Sequence, residues 1–235
     1  MQSFLVDKFL APLGNALAPE KCRWCGVRVA HGPVCLECSN ALPWNRSACR
    51  ACALPLISAG AAVCGECLKS APSQDSSWAA FRYENPVVQQ ILRLKFHEHL
   101  QAAHLLGALM AGALAARAEK LPELLIPVPL HRRRLRQRGY NQAVEIGRVL
   151  SRLLSIPLAT DTAHRPLATK EQTELSAVER RRNMRGAFSV SGAVQGRHIA
   201  LLDDVITTGA TVAELARTAR KAGAVRIEAW AVARA

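Results

Sequence analysis

The sequence predicts an α/β fold, a parallel sheet with helices on both faces, preceded by a small cysteine-rich module. Three observations carry this expectation. Beyond residue 78, short apolar runs alternate with stretches of helical periodicity, the pattern of strands joined by crossover helices. All eight cysteines lie between Cys22 and Cys67 in four Cys-x-x-Cys pairs, and the 168 residues that follow have none. Finally, Ile199-Ala200-Leu201-Leu202-Asp203-Asp204-Val205-Ile206-Thr207-Thr208-Gly209-Ala210-Thr211 runs from four apolar residues through paired carboxylates into a loop of small residues and a helical run.

Half of the 235 residues are hydrophobic but only 5% are aromatic, so the expected core is aliphatic. The length suits a medium domain with a smaller companion. A formal charge of +13 points to an anionic ligand or partner. Residues 1–20 read as a short amphipathic helix, because Asp7, Lys8, Pro12 and Gly14 break up its apolar run. No stretch approaches the roughly 20 apolar residues that span a bilayer. A cytoplasmic protein is expected.

Residues 21–68 contain an internal duplication. Cys22-Arg23-Trp24-Cys25 and Cys35-Leu36-Glu37-Cys38 are echoed by Cys49-Arg50-Ala51-Cys52 and Cys64-Gly65-Glu66-Cys67. Closely paired thiolates are the ligand spacing of tetrahedral zinc knuckles. Duplication of a whole four-cysteine unit favours consecutive sites, Cys22, Cys25, Cys35 and Cys38, then Cys49, Cys52, Cys64 and Cys67. An interleaved cross-brace is the alternative. Two loaded sites contribute about −4, which lowers the net charge to about +9. Trp24 and Trp44 either stack on bases or cover the small core.

Residues 69–78 are polar and turn-rich and are expected to form a linker to a domain over 79–235. In that domain Ala79 to Tyr83 reads as a strand, followed by helices over Pro86 to Phe96 and Gln101 to Glu119. Leu124 to Pro129 is a short buried strand, Asn141 to Leu154 a helix, and Ala187 to Val190 an extended piece. Ile199 to Leu202, a helix from Ala210 to Ala222, and a strand from Arg226 to Val232 complete the chain.

Two basic segments flank the acidic pair. One carries Arg132, Arg133, Arg134, Arg136 and Arg138 directly after a strand end, where open α/β sheets bind ligands. The other, from His164 to Phe188, carries Arg165, Lys170, Arg180, Arg181, Arg182 and Arg185; its Ser176-Ala177-Val178-Glu179 has capping-box form and predicts a short helix. Residues 131–186 hold thirteen basic and five acidic side chains, so most of the net charge lies beside the acidic pair.

Residues 199–211 resemble the thirteen-residue signature of type I phosphoribosyltransferases. That resemblance implies a type I phosphoribosyltransferase-like parallel sheet. Asp203 and Asp204 then face the ribose hydroxyls of phosphoribosyl pyrophosphate (PRPP), as the catalytic pair. Val205, Ile206, Thr207, Thr208, Gly209, Ala210 and Thr211 hold its 5-phosphate. Arg132, Arg133, Arg134, Arg136, Arg138, Arg165, Lys170 and Arg181 are assigned to pyrophosphate or DNA, and Mg²⁺ is expected with PRPP. Pro127 to Ala143, Arg165 to Leu175, Arg180 to Asn183 and Gly186-Ala187-Phe188 are similar to the ComF/GntX family, which pairs a cysteine ribbon with such a domain. The family resemblance implies a role in DNA uptake or use, with single-stranded DNA and DNA-uptake proteins as partners. Three functions remain open: a Mg²⁺-dependent transferase, a non-catalytic protein binding single-stranded DNA, and a PRPP sensor.

Overall fold

The computed structural model describes residues 20–30, 32–57, 62–96, 100–166 and 184–235. The helix expected over residues 1–20 lies outside them, apart from Glu20, which opens a strand; so does the expected helix around Ser176. Among the described residues no helix is long and apolar enough to cross a membrane.

The ribbon region contributes β1 (Glu20–Lys21), β2 (Arg28–Val29), α1 (Leu36–Ala41) and α2 (Gly65–Lys69). The sheet that follows contains β3 (Ser76–Arg82), β4 (Leu124–Pro127), β7 (His198–Ile206) and β8 (Arg226–Arg234) in the order β3-β8-β7-β4, with every pairing parallel. A short antiparallel pair, β5 (Ala163–His164) with β6 (Ser189–Val190), stands apart from it. The helices are α3 (Val87–Phe96), α4 (Leu100–Ala115), α5 (Arg132–Arg138), α6 (Gln142–Leu154) and α7 (Ala210–Lys221).

Strand periodicity divides the core into two layers. Ala200, Leu202, Trp230 and Val232 pack against α3, α4 and α6 through Ile91, Leu106, Met110 and Leu150. Their neighbours Ile199, Leu201, Ala229 and Ala231 pack on the opposite face against Val212, Leu215 and Ala219 of α7. Because side chains alternate along a strand, β7 and β8 can be buried on both faces only if nearly every residue is apolar, and alanine lets the helices approach closely. On the first face, a Cβ added at Gly107 of α4 would lie 2.8 Å from Val149 Cβ of α6, so that crossing requires glycine.

Two expected boundaries shift. β3 takes in Ser76 and Ser77, which composition alone places in the linker. Asp75 Oδ2 accepts from Ile227 N at 2.7 Å and Arg220 Nη2 at 2.6 Å, and Ser77 Oγ donates to Ala51 O at 2.7 Å. These bonds satisfy Asp75 and Ser77 within the fold. The arginine run after Pro129, to which no element was assigned above, forms the helix α5. His131 caps the N-terminus of α5 through Nδ1, and Gly139 ends it in the left-handed conformation at φ 76°.

The ribbon packs directly on the sheet. Trp44 and Phe81 lie with ring centroids 4.5 Å apart, Asn45 N donates to Ala80 O, and Arg82 N donates to Pro43 O. Trp24 also packs against the first core layer. Both tryptophans therefore serve packing rather than exposed stacking.

Candidate functional site

β7 carries the acidic pair just beyond Leu202, where its pairing with β4 stops while its pairing with β8 continues to Ile206. Ile199 to Leu202 are buried, Asp203 to Val205 half-buried, and Thr207 and Thr208 exposed. Asp204 N donates to Asp203 Oδ1 at 2.8 Å, and Val205 N donates to Asp204 Oδ1 at 2.7 Å. Asp204 Oδ2 pairs with Lys95 Nζ at 3.0 Å. Burial, and then the charge of Asp204, push Asp203 up from 3.8 to about 8. Two adjacent carboxylates at a desolvated strand end are costly, so a ligand that brings hydroxyl donors or positive charge relieves them.

The next residues suit an anion. Gly209 takes φ 74° as the N-cap of α7, a conformation open to glycine at little cost. The first turn of α7 contains no acidic side chain, so its unpaired N–H groups and the helix dipole favour negative charge. Ala210 N makes a long contact, 3.4 Å, to Thr208 Oγ1.

These groups line one cleft of about 250 Å³ at the carboxyl ends of β4 and β7. It contains Asp203, Asp204 and every residue from Val205 to Thr211, together with Arg134, Arg138 and Arg165. Arg134 and Arg138 are one helical turn apart and half-buried on the cleft side of α5, whereas Arg132, Arg133 and Arg136 are exposed. Arg165 stacks over Phe188 at 5.7 Å. Burial, and then repulsion from Arg134, lower its pKa, while Asp203 acts in the opposite sense. Two guanidinium groups thus crowd the same space, which an anion would stabilise. Lys170 and Arg181 lie outside the described residues.

The cleft also holds residues that sequence reasoning did not select: Lys95, Tyr83, Asn141 and Gln142. Asn141 caps α6 and donates to Val128 O at 2.9 Å, fixing the loop after β4. Gln142 is 2% exposed, and its Oε1 accepts from Arg138 Nη1 at 3.1 Å. Among the described residues its Nε2 has no hydrogen-bond partner, an arrangement that costs about 1–3 kcal/mol unless a ligand accepts from it. Glu228, at the opposite end of the sheet, shows the contrast. Buried at 2% exposure, it is met by His198, Trp230 and Arg226, so that cluster is satisfied within the fold.

The cysteines form two tetrads in consecutive order, Cys22, Cys25, Cys35, Cys38 and Cys49, Cys52, Cys64, Cys67, with the ligand atoms of each within 4.8 Å of one another. Tetrahedral zinc with bonds of about 2.3 Å places sulfur atoms about 3.8 Å apart. Cys25 and Cys35 are 3.7 Å apart, as are Cys52 and Cys64. The interleaved alternative is therefore corrected: the duplicated unit is also the ligating unit. Burial opposes ionisation of Cys22 and Cys49. Backbone N–H donors, that of Cys64 at 3.2 Å among them for Cys49, outweigh it and hold the two thiols at about 6 and about 7. Each tetrad thus has the geometry and a ready thiolate for one structural zinc.

Fold and site together define a two-part protein: a double cysteine ribbon docked on a parallel α/β domain that gathers acidic and basic groups at its strand ends. The family model described as "Double zinc ribbon domain" matches residues 13–68. DNA utilization protein YhgH of Escherichia coli O157:H7 is 36% identical over 222 residues, covering 92% of this chain and 97% of that protein. Competence protein F of Haemophilus influenzae is 36% identical over 221 residues, covering 91% and 90%. The chain belongs to the ComF/GntX family that these proteins represent. Competence protein ComFC of Bacillus subtilis is a more distant relative, 26% identical over 59% of this chain.

Among solved structures, the glutamine PRPP amidotransferase of B. subtilis is similar over 57% of this chain and 26% of its own, with 17% identity and a TM-score of 0.39. The purine phosphoribosyltransferase of Pyrococcus horikoshii is similar over 63% of this chain and 83% of its own, with 15% identity and a TM-score of 0.29. The chain spans about a quarter of the amidotransferase's length.

Proposed function

We propose that the chain binds PRPP in this cleft and acts in the uptake or use of DNA, transferring the phosphoribosyl group from PRPP to an acceptor. One observation carries the reading. The acidic pair, the Thr207-Thr208-Gly209 loop and three arginines from two separate segments all line the same cleft.

In this reading the N–H groups of Thr207 to Thr211 bind the 5-phosphate, aided by the α7 dipole, while the Val205 N–H stays with Asp204 Oδ1. Asp203 and Asp204 accept from the ribose hydroxyls. Arg134, Arg138, Arg165 and Lys95 face the pyrophosphate, with Gln142 Nε2 as a further donor. An acceptor nucleophile bonds to ribose C1 as the bond from C1 to the pyrophosphate oxygen breaks. The cationic side chains stabilise the negative charge that develops on that oxygen. Mg²⁺ bound with the pyrophosphate would supply further charge neutralisation. A screen for pyrophosphate release from PRPP, against free bases and single-stranded nucleic acid, tests the reading. It is expected to give release that depends on one acceptor class. No release with any acceptor would leave binding without transfer.

A second reading, a non-catalytic protein that binds single-stranded DNA, draws on Arg132, Arg133 and Arg136. They stand exposed on α5 outside the cleft, where a phosphate backbone can meet them without sequence readout. The names of the relatives, which concern DNA use and competence, favour a nucleic-acid partner in either case.

A further inference from the structure

Arg234 stands in register with Ile206 across β8 and β7 and is only 8% exposed. Its Nη1 donates to Ile206 O at 3.1 Å and its Nε to Cys52 O at 3.0 Å. Ala235 N also donates to Ile206 O, at 3.0 Å. Among the described residues, no carboxylate pairs with this guanidinium. Its two acceptors belong to different parts of the molecule. Cys52 is in the first knuckle of the second cysteine tetrad, and Ile206 is the last residue before Thr207-Thr208-Gly209.

The knuckle is firmly placed. Ala53 is fully buried in the core layer beneath α7, Asn45 Nδ2 donates to Ala53 O at 2.8 Å, and Gln74 and Ser77 both donate to Ala51 O. We propose that Arg234 is a positioning residue that couples the second metal tetrad to the phosphate loop, an inference that rests on the reading of residues 205–211 as that loop. Two physical effects support the coupling. A trans peptide is planar, so fixing the Ile206 carbonyl toward Arg234 fixes the Thr207 N–H on the opposite side. Arg234 and Ala235 thereby set the direction of the loop's entry. The second effect is charge. Four thiolates around one Zn²⁺ carry about −2, which helps to offset the buried cation held on the same knuckle. Metal loss then loosens both the knuckle and its grip on Arg234.

The test is hydrogen exchange of the loop amides, residues 207–211, in the full chain without ligand. Wild type is compared with Arg234→Gln, Arg234→Lys, Cys67→Ser and Cys38→Ser, each with its zinc content measured. The coupling predicts loop exchange about tenfold faster in Arg234→Gln and Cys67→Ser. The double variant should exchange no faster than the faster single one, because both act through one link. Arg234→Lys, which keeps the charge but not the two-pronged reach, should restore part of the protection. Cys38→Ser, in the other tetrad, should leave the loop at the wild-type rate. Should Arg234→Gln not fold, Cys67→Ser against Cys38→Ser decides alone. Unchanged loop exchange after loss of the second zinc, or equal acceleration from either tetrad, would overturn the proposal. Because the amides are read without ligand, a failure to bind PRPP would undo the functional reading and leave this test standing.

Discussion

Lys95 Nζ lies 3.0 Å from Asp204 Oδ2, so the last turn of α3 is tied to the acidic end of β7. Both side chains are largely shielded, at 21% and 14% exposure, which makes the pair stronger than a surface bridge. In the cleft this lysine holds one carboxylate in place and adds positive charge beside it. Lys95→Met is expected to weaken PRPP binding about tenfold, ~1.4 kcal/mol. Asp204→Asn should weaken it similarly, and the two effects should not add, since the residues are in contact. Additive losses in a double-mutant cycle would show that the pair does not act as a unit.

The raised pKa of Asp203 predicts a pH dependence of stability. Its folded value of about 8 lies above the ordinary 3.8, so the folded state binds the proton more tightly than the unfolded chain. That contribution is fully present below about pH 4 and is lost as the pH rises through about 8. Urea unfolding across this window should show stability falling with pH, and Asp203→Asn should flatten the fall. Identical slopes for wild type and variant would contradict the assignment.

Gly107→Ala tests the packing independently of any ligand. The new methyl would meet Val149 Cβ at 2.8 Å and Val149 Cγ1 at 3.0 Å across the α4–α6 crossing. Overpacking of this kind costs about 1–3 kcal/mol, which thermal unfolding would register, with PRPP affinity unchanged. A neutral or stabilising effect would show that α4 and α6 sit farther apart.

The arginines of α5 should separate by function. Arg132, Arg133 and Arg136 are exposed, and replacing all three with Ala is expected to weaken single-stranded DNA binding and flatten its salt dependence. Arg134→Ala and Arg138→Ala, within the cleft, should instead weaken PRPP. Filter binding across a salt series, alongside PRPP titration, reads both. Equal loss of both ligands in both sets would merge the two sites into one.

The sheet was legible because β7 and β8 are apolar runs of strand length and α6 carries a helical stripe. The two tetrads were legible from spacing because each ligating unit is contiguous in the chain. The cleft's further residues were harder to see, since Lys95 and Asn141 join it by contacts distant in sequence, to Asp204 and Val128. Yet two of them, and Arg234 outside the cleft, left a signal. Lys95 continues the buried stripe of Val87 and Ile91 at intervals of four, and Gln142 begins that of Ile146 and Leu150. Arg234 likewise continues the alternation of Trp230 and Val232. A polar side chain at a core position of an otherwise apolar pattern marks where an element leaves the core for a site. The boundary of β3 was hidden for the opposite reason: Asp75 and Ser77 look like solvated linker but bond to Ile227, Arg220 and Ala51.

The central claim is that this cleft binds PRPP. Calorimetric titration of PRPP with Mg²⁺ into the intact, zinc-loaded protein tests it most directly. The account predicts saturable heat, lost or much reduced in Asp204→Ala and Arg134→Ala variants that keep their zinc and their fold. No heat from folded wild-type protein, or undiminished binding by both variants, would contradict it.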